Sequence, residues 1–266
     1  MANLFTGHKD EWKALADIDY LGAFVRAYIP FNAWMNISYA TLDTDRAKIN
    51  EIKKNPNTFR NKICALINTN NQDGSKFRNL LGELHDLLEN NPIHNQDKQI
   101  SFTNVTIGKN TQNISEDSRY GIGFRVQYGN GSGATTETLS LIKKKDGSSI
   151  FNLRQPNYDI EGLQADAGFI AQKNEYKTHL INCYKNVEPY IQKNFTVGFN
   201  VTDANSYVEC GNYKFIKEPE NIAKGIIEII YNLRNSLFHG ELVPNEEANQ
   251  VYGAAYRILY MLIQSL

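Results

Sequence analysis

The C-terminal part of the chain contains an arginine and a histidine at a spacing that suits phosphate chemistry, in the segment Tyr231–Glu241, YNLRNSLFHGE. Arg234 supplies a permanent cation whose forked donors match a phosphate. His239 supplies an imidazole, the side chain best suited to proton transfer near neutral pH. Asn235 lies four residues before His239, so on a helix its amide shares a face with the imidazole and can orient it. Together these groups suit RNA cleavage by internal attack of the 2'-hydroxyl, with the arginine stabilising the charged phosphorane.

A single arginine and a single histidine make a sparse site. Two copies related by a two-fold axis would place two of each around one phosphate, and we therefore expect a homodimer. The reaction needs no metal, and the chain has no CxxC pair and no obvious cluster of metal ligands, so we expect no metal and no cofactor. The alternative is a structural role, in which His239 caps a helix and Arg234 is a surface cation paired with Glu228 or Glu241.

The sequence predicts that this motif lies at a corner between two helices. Pro219 begins the first predicted helix, which has an apolar face, and Gly240 is a natural left-handed helix stop with Pro244 just beyond it. The second helix is predicted from about Asn245 to the C-terminus and is apolar almost all round, which favours a central place in the core or in a subunit interface.

The rest of the chain predicts an α+β protein, a mainly helical bundle with an inserted antiparallel β-rich segment. The bundle would consist of an N-terminal helical part, residues 1–98, and a C-terminal helical part, residues 159–266, which carries the motif. The insert, residues 99–158, has a period of two in its apolar residues and reads as antiparallel strands. Helical spacing predicts helices at Asp10–Leu42 with a kink at Pro30, Thr58–Thr69, Ser75–Asn90 and Ile160–Gln192, and alternation predicts a second hairpin from Phe195, Val197, Phe199 and Val201 with Tyr213 and Phe215.

Other polar groups are weaker candidates. Arg26 and Asn32 are polar positions on an apolar helix and can line a cleft beside the motif, or simply bond neighbouring helices. Lys143, Lys144 and Lys145 can guide an RNA backbone, although lysines at a hairpin tip usually protect a sheet edge. A second Arg-Asn run, Arg78-Asn79 with His85, has no glycine stop and reads as a solvated helix face.

The run of Arg234, Asn235 and His239 resembles the Arg-(Asn/His/Asp)-x-x-x-His motif of the HEPN superfamily. The segment LFHGE at Leu237–Glu241 is similar to the Apea-like and abortive-infection branch of bacterial defence proteins, and the aromatic-rich segment Ala23–Tyr39 is similar to bacterial HEPN-like nucleases. The resemblance covers the two ends of the chain and not the β-rich insert. It departs from the toxins of the HEPN and nucleotidyltransferase pairs, which carry a tyrosine where this chain has Glu241, so regulation by nucleotidylation of that tyrosine is not implied.

The resemblance implies an all-helical bundle that dimerises into a ribonuclease site, acting on single-stranded RNA or tRNA in antiviral defence or a toxin–antitoxin system with an antitoxin or defence partner. One rival is a catalytically silent HEPN dimer that scaffolds partners or binds nucleotide. A second is a metal-dependent nuclease, for which the sequence offers no carboxylate cluster. The N-terminus lacks an apolar leader, and no stretch reaches the length of a spanning helix, so we expect a cytoplasmic protein without membrane contact.

Overall fold

The chain forms an α+β protein whose sheets are antiparallel. The structure is a computed structural model that describes residues 19–96, 98–129, 135–198 and 200–266. The described residues divide into two compact units, the first made of those up to residue 108 and from residue 192 onward, the second of those between 109 and 191. None of the described helices is both long enough and apolar enough to cross a membrane.

The first unit contains six helices among its described residues, with short strands between them. The helices are α1 (Asp19–Ser38), α2 (Asp45–Lys54), α3 (Thr58–Asn68), α4 (Gln72–Asn90), α8 (Pro219–Phe238) and α9 (Glu246–Ile263). The strands are β1 (His94–Asn95), β2 (Lys98–Gln99), β3 (Val105–Lys109), β8 (Tyr190–Lys193), β9 (Thr196–Val197), β10 (Tyr207–Cys210) and β11 (Tyr213–Ile216), of which β3 and β8 also reach into the second unit. They form the two-stranded pairs β1–β2 and β3–β8 and one sheet in the order β10–β11–β9.

The core of the first unit is built from apolar helix faces. Helix α9 packs against α1 and α4, and α8 packs against α3 and α2. Phe24 of α1 and Tyr252 of α9 meet edge to face with ring centroids 5.2 Å apart, and both side chains are fully buried. More than half of the residues of α8 and of α9 are buried, so both helices lie in this core along most of their length.

Local sequence signals set the ends of these helices. Pro219 occupies the first turn of α8 and α9 begins just after Asn245, as predicted. The Asn245 side chain accepts a hydrogen bond of 2.8 Å from the Ala248 amide and thereby caps α9. Helix α2 was missed because only two of its apolar residues, Ile49 and Ile52, face the core. Its start was readable, since the Thr44 hydroxyl accepts a hydrogen bond from the Ala47 amide.

The second unit is a four-stranded antiparallel sheet with helices packed on one face. Its strands are β4 (Ile114–Arg119), β5 (Ile122–Tyr128), β6 (Thr138–Lys144) and β7 (Ser149–Gln155), in that order across the sheet. Its helices are α5 (Ile160–Ala165), α6 (Ala167–Ile170) and α7 (Asn174–Asn186). Phe124 and Val126 of the sheet and Leu180 and Tyr184 of α7 form its separate apolar core.

This division differs from the predicted domain boundaries. The helical stretch after residue 159 packs on the β-sheet, so α5, α6 and α7 belong to the second unit and not to the C-terminal helical part. The predicted helix Ile160–Gln192 is broken into three, and Gln192 lies in β8. Phe195 is buried next to β9, whereas Phe199 and residues 10–18 of the predicted first helix lie outside the described part of the chain.

Candidate functional site

The predicted corner between α8 and α9 is present. Helix α8 ends at Phe238, His239 takes the C-cap position, and Gly240 has a φ of +68°, a conformation that glycine adopts without strain. The His239 amide donates to the Asn235 carbonyl over 2.9 Å and the Glu241 amide to the Ser236 carbonyl over 3.1 Å. The chain therefore turns sharply just after the last residue of the motif.

Arg234 is held in place by four neighbours. Its Nη1 donates to Oδ1 of Asn235 over 3.0 Å, and its Nη2 lies 3.4 Å from Oδ2 of Asp45 at the start of α2. Its guanidinium carbon lies 4.8 Å from the centre of the Phe238 ring and 5.9 Å from that of Tyr28. Both contacts are within the range of cation–π attraction, so the guanidinium is oriented by two rings, an amide and a carboxylate.

His239 lies at the surface with an unengaged ring. Its side chain has no hydrogen bond, ion pair or ring contact with any residue of the described part of the chain, and the neighbouring Phe238 is 55% exposed. The predicted orientation of the imidazole by Asn235 is wrong for this structure, because the Asn235 side chain is buried and its oxygen accepts from Arg234 instead. The amide therefore positions the cation and leaves the imidazole free to meet another group.

The alternative prediction, in which His239 and Arg234 have only structural roles, agrees with the structure in part. His239 does take the helix C-cap position, but Arg234 pairs with neither of the predicted carboxylates. Glu228 is engaged by Arg46 and Lys53, and Glu241 accepts a hydrogen bond from the Gln96 amide over 2.7 Å.

Two polar atoms of α1 are buried without a partner among the described residues, the Tyr28 hydroxyl and Oδ1 of Asn32. Burial raises the pKa of the Tyr28 phenol, and the Arg234 charge opposes that rise only in part, so the hydroxyl stays protonated. Tyr28 thus presents a neutral hydroxyl group in the surroundings of Arg234. Asn32, predicted to line the cleft, lies one helical turn from Tyr28 and is partly buried.

A partly buried ion network supports this arrangement. Glu228 of α8 bonds Arg46 with both carboxylate oxygens, at 2.8 and 2.9 Å, and Nζ of Lys53 at 2.6 Å. The Arg46 guanidinium also lies over the ring of Tyr231 at 4.3 Å. These contacts fix α2 against α8 and thereby bring the residue before Arg46, Asp45, to Arg234.

The other predicted contact residues are not among the neighbours of Arg234 described above. Arg26 is exposed and lines a groove of about 260 Å³ with Tyr256 and Tyr260 of α9. Lys143, Lys144 and Lys145 are exposed at the end of β6 and in the following turn, in the second unit, whereas Arg234 and His239 belong to the first.

The second Arg-Asn run is structural. Arg78 donates to the carbonyl groups of Ile67 and Thr69 at the end of α3, and His85 is buried edge-on against Tyr213, Phe102 and Phe215. The prediction of a solvated face is therefore wrong for His85. Burial lowers the pKa of its imidazole.

Sequence reasoning missed Asp45 and Tyr28, the two partners of Arg234 from other helices. A signal existed for Asp45, since Thr44-Asp45 is a helix start and places an acidic residue in the first turn. Within the described residues, no group of three or more histidine, cysteine or acidic side chains is arranged to hold a metal ion.

Comparison with known proteins identified no relative of this chain. No family model matches the sequence, and neither a curated protein nor a solved structure matches the chain.

Proposed function

We propose that the chain is a metal-independent endoribonuclease of the HEPN type that acts as a homodimer. One observation supports the proposal most directly. At the end of α8, Arg234 is held by an amide, a carboxylate and two rings, while His239, five residues further on, is exposed and free of partners within the described residues. Cleavage of a phosphodiester without a metal needs a fixed cation and an available imidazole, and the end of α8 carries one of each.

The reaction forms one bond at phosphorus and breaks another. The ribose 2'-oxygen attacks the phosphorus and loses its proton to one imidazole, while the bond from phosphorus to the 5'-oxygen breaks and that oxygen takes a proton from a second imidazole. The products are a 2',3'-cyclic phosphate and a 5'-hydroxyl. Arg234 donates to the nonbridging oxygens as their negative charge grows.

The need for a dimer follows from this proton balance. One imidazole cannot remove a proton on one side of the phosphorus and supply another on the opposite side at the same moment, whereas His239 from each of two copies can divide the two tasks. Phe238 is exposed beside Arg234, and an exposed aromatic ring at this place is suited to burial against a second copy. A role in antiviral defence or in a toxin–antitoxin system rests on the resemblance alone.

The test is cleavage of single-stranded RNA and tRNA by the purified protein in EDTA, with the new ends sequenced. We expect 2',3'-cyclic phosphate or 3'-phosphate ends, and we expect Arg234→Ala and His239→Ala to abolish cutting while the dimer persists in light scattering. If cutting occurs without EDTA but is lost in EDTA, the metal-dependent rival is favoured. If His239→Ala is fully active and His85→Ala is inactive, Arg234 and His239 are not the catalytic pair.

One observation favours the catalytically silent alternative, a dimer that acts as a scaffold or binds nucleotide. Arg234 already faces the Asp45 carboxylate, which offsets the charge that a phosphate would use. Absence of RNA cleavage by a dimer with intact Arg234 and His239 would support this reading.

A further inference from the structure

Directly after the α8–α9 corner, the first unit contains an open cleft of about 420 Å³. This volume lies within the range of ligand pockets, and the cleft has an apolar floor that includes the buried residues Ile93 and Ala248. Its polar groups come from the end of α4 and the residues after it on one side, and from the turn before α9 and its first residues on the other. They are Asn90, Asn91, His94, Glu241, Asn245 and Glu247.

The cleft adjoins the proposed catalytic corner through the chain itself. Glu241, which lines the cleft, follows His239 by two residues, so their Cα atoms are separated by at most about 7 Å. The lining of the cleft therefore begins two residues after the proposed catalytic histidine.

Several polar groups of the cleft are not committed to the fold. The side chains of Asn90, Asn91 and Glu247 have no hydrogen bond or ion pair with any residue that the structure describes. Glu241 and Asn245, by contrast, are partly engaged, through Gln96 and Ala248. Uncommitted amides and a carboxylate above an apolar floor are groups available to a ligand.

The charge of the lining selects the kind of ligand. Two carboxylates, those of Glu241 and Glu247, line the cleft, and no lysine or arginine is among the described residues that do so. The cleft therefore repels a phosphate and favours a neutral planar group with N–H donors. Bases of single-stranded RNA are such groups, since they present their edges to side chains and their faces to apolar surfaces.

We propose that this cleft binds guanine and sets the base preference of the ribonuclease proposed above, on which the inference rests for its place beside the scissile bond. Guanine offers adjacent N–H donors that match one carboxylate, and the acceptors N7 and O6, which match amide NH₂ groups. Adenine carries an acceptor where guanine carries its ring N–H, so it would meet a carboxylate unfavourably. Uracil offers a single N–H between two carbonyl groups.

The experiment measures nucleoside binding first, without relying on catalysis. Guanosine and uridine are titrated calorimetrically into the full-length wild-type protein, Glu247→Gln and Glu246→Gln. Glu246 is the matched control, because it is an exposed carboxylate in the same first turn of α9 but does not line the cleft. We expect wild type and Glu246→Gln to bind guanosine at least about tenfold more tightly than uridine, and Glu247→Gln to lose that preference.

RNA cleavage by the same proteins then separates the two proposals. Wild type and Glu246→Gln are expected to cut next to guanine, and Glu247→Gln to cut without that bias. Equal binding of both nucleosides by wild type, or equal loss of preference in the two variants, would overturn the guanine site even if RNA is cut. Guanosine binding that depends on Glu247 in a protein that cuts no RNA would retain the site and reject the nuclease.

Discussion

Asp45 and Arg234, which are far apart in the sequence, form an ion pair with 3.4 Å between Oδ2 and Nη2. The pair is partly exposed, since 33% of the Asp45 side chain and 24% of the Arg234 side chain remain accessible. The carboxylate thus lies where an anionic substrate would approach the guanidinium. It both orients the cation and competes with a phosphate for it.

Asp45→Asn is expected to strengthen binding of RNA. The change keeps the shape of the side chain but removes the negative charge beside Arg234, which raises the local positive potential. Because a partly exposed pair contributes up to about 1 kcal/mol, the dissociation constant should fall by up to about fivefold. The measurement is fluorescence anisotropy with labelled single-stranded RNA and the His239→Ala background, in which the RNA remains intact.

Asp43→Asn is the control for this change, because Asp43 is exposed, lies two residues away and forms no side-chain hydrogen bond or ion pair with the described residues. An equal gain in both variants would assign the effect to net charge alone. Weaker binding in Asp45→Asn would mean that orientation of the guanidinium outweighs the competition.

Glu228→Gln is expected to destabilise the first unit strongly. The side chains of Glu228 and Lys53 are 5% and 3% exposed, and removal of the carboxylate charge leaves a buried ammonium without its counter-ion. Such a change costs about 3 to 5 kcal/mol of unfolding free energy. Urea unfolding measures it, and Glu83→Gln is the control, since Glu83 pairs with Arg257 at the surface and should cost less than about 1 kcal/mol.

Tyr28→Phe is expected to stabilise the fold by about 1 kcal/mol, because it removes a buried hydroxyl that has no partner among the described residues. Tyr252→Phe is the matched control in the same core. The Tyr252 hydroxyl donates to the Leu233 carbonyl over 2.7 Å, so its removal should destabilise the fold by about 1 kcal/mol. Thermal and urea unfolding of both variants give the signs, and destabilisation by Tyr28→Phe would mean that its hydroxyl is satisfied in solution.

His85 is expected to make the stability depend on pH. Burial lowers the pKa of its imidazole below 6.5, its ordinary value, so the unfolded chain takes up a proton at a higher pH than the folded protein does. Above pH 6.5 the imidazole is neutral in both states, and the free energy of unfolding does not depend on it. As the pH falls from 6.5 towards the pKa of the folded protein, the unfolded chain binds a proton that the folded protein does not, and the free energy of unfolding decreases. The loss amounts to at most about 1.4 kcal/mol per pH unit.

The measurement compares urea unfolding at pH 7.5 and 5.5 for the wild type and His85→Asn, which does not titrate. The wild type should lose more stability on acidification than the variant does. Equal losses would assign the pH dependence to other groups.

Many of the helices and strands could be predicted from the sequence, because the patterns that specify them are local. The period of the apolar residues predicted α3, α4, α8 and α9 to within a few residues, and alternation predicted the antiparallel β-rich segment that contains β5, β6 and β7. Gly240 predicted the corner, since glycine adopts the positive φ of a helix stop without strain. Helix α2 was missed because its short apolar stripe gives little periodic signal.

The Arg-Asn-x-x-x-His run and its place at the end of an apolar helix follow from the sequence alone, because residue types and helix period are local properties of the chain. The groups that surround the run depend on how distant segments pack together. The Asn235 amide bonds Arg234 and not His239, and Asp45 and Tyr28 contact Arg234 from other helices. The helices after residue 159 pack on the sheet of the second unit. These contacts depend on packing between segments distant in the sequence, and no local pattern encodes which distant side chain fills the space beside a guanidinium.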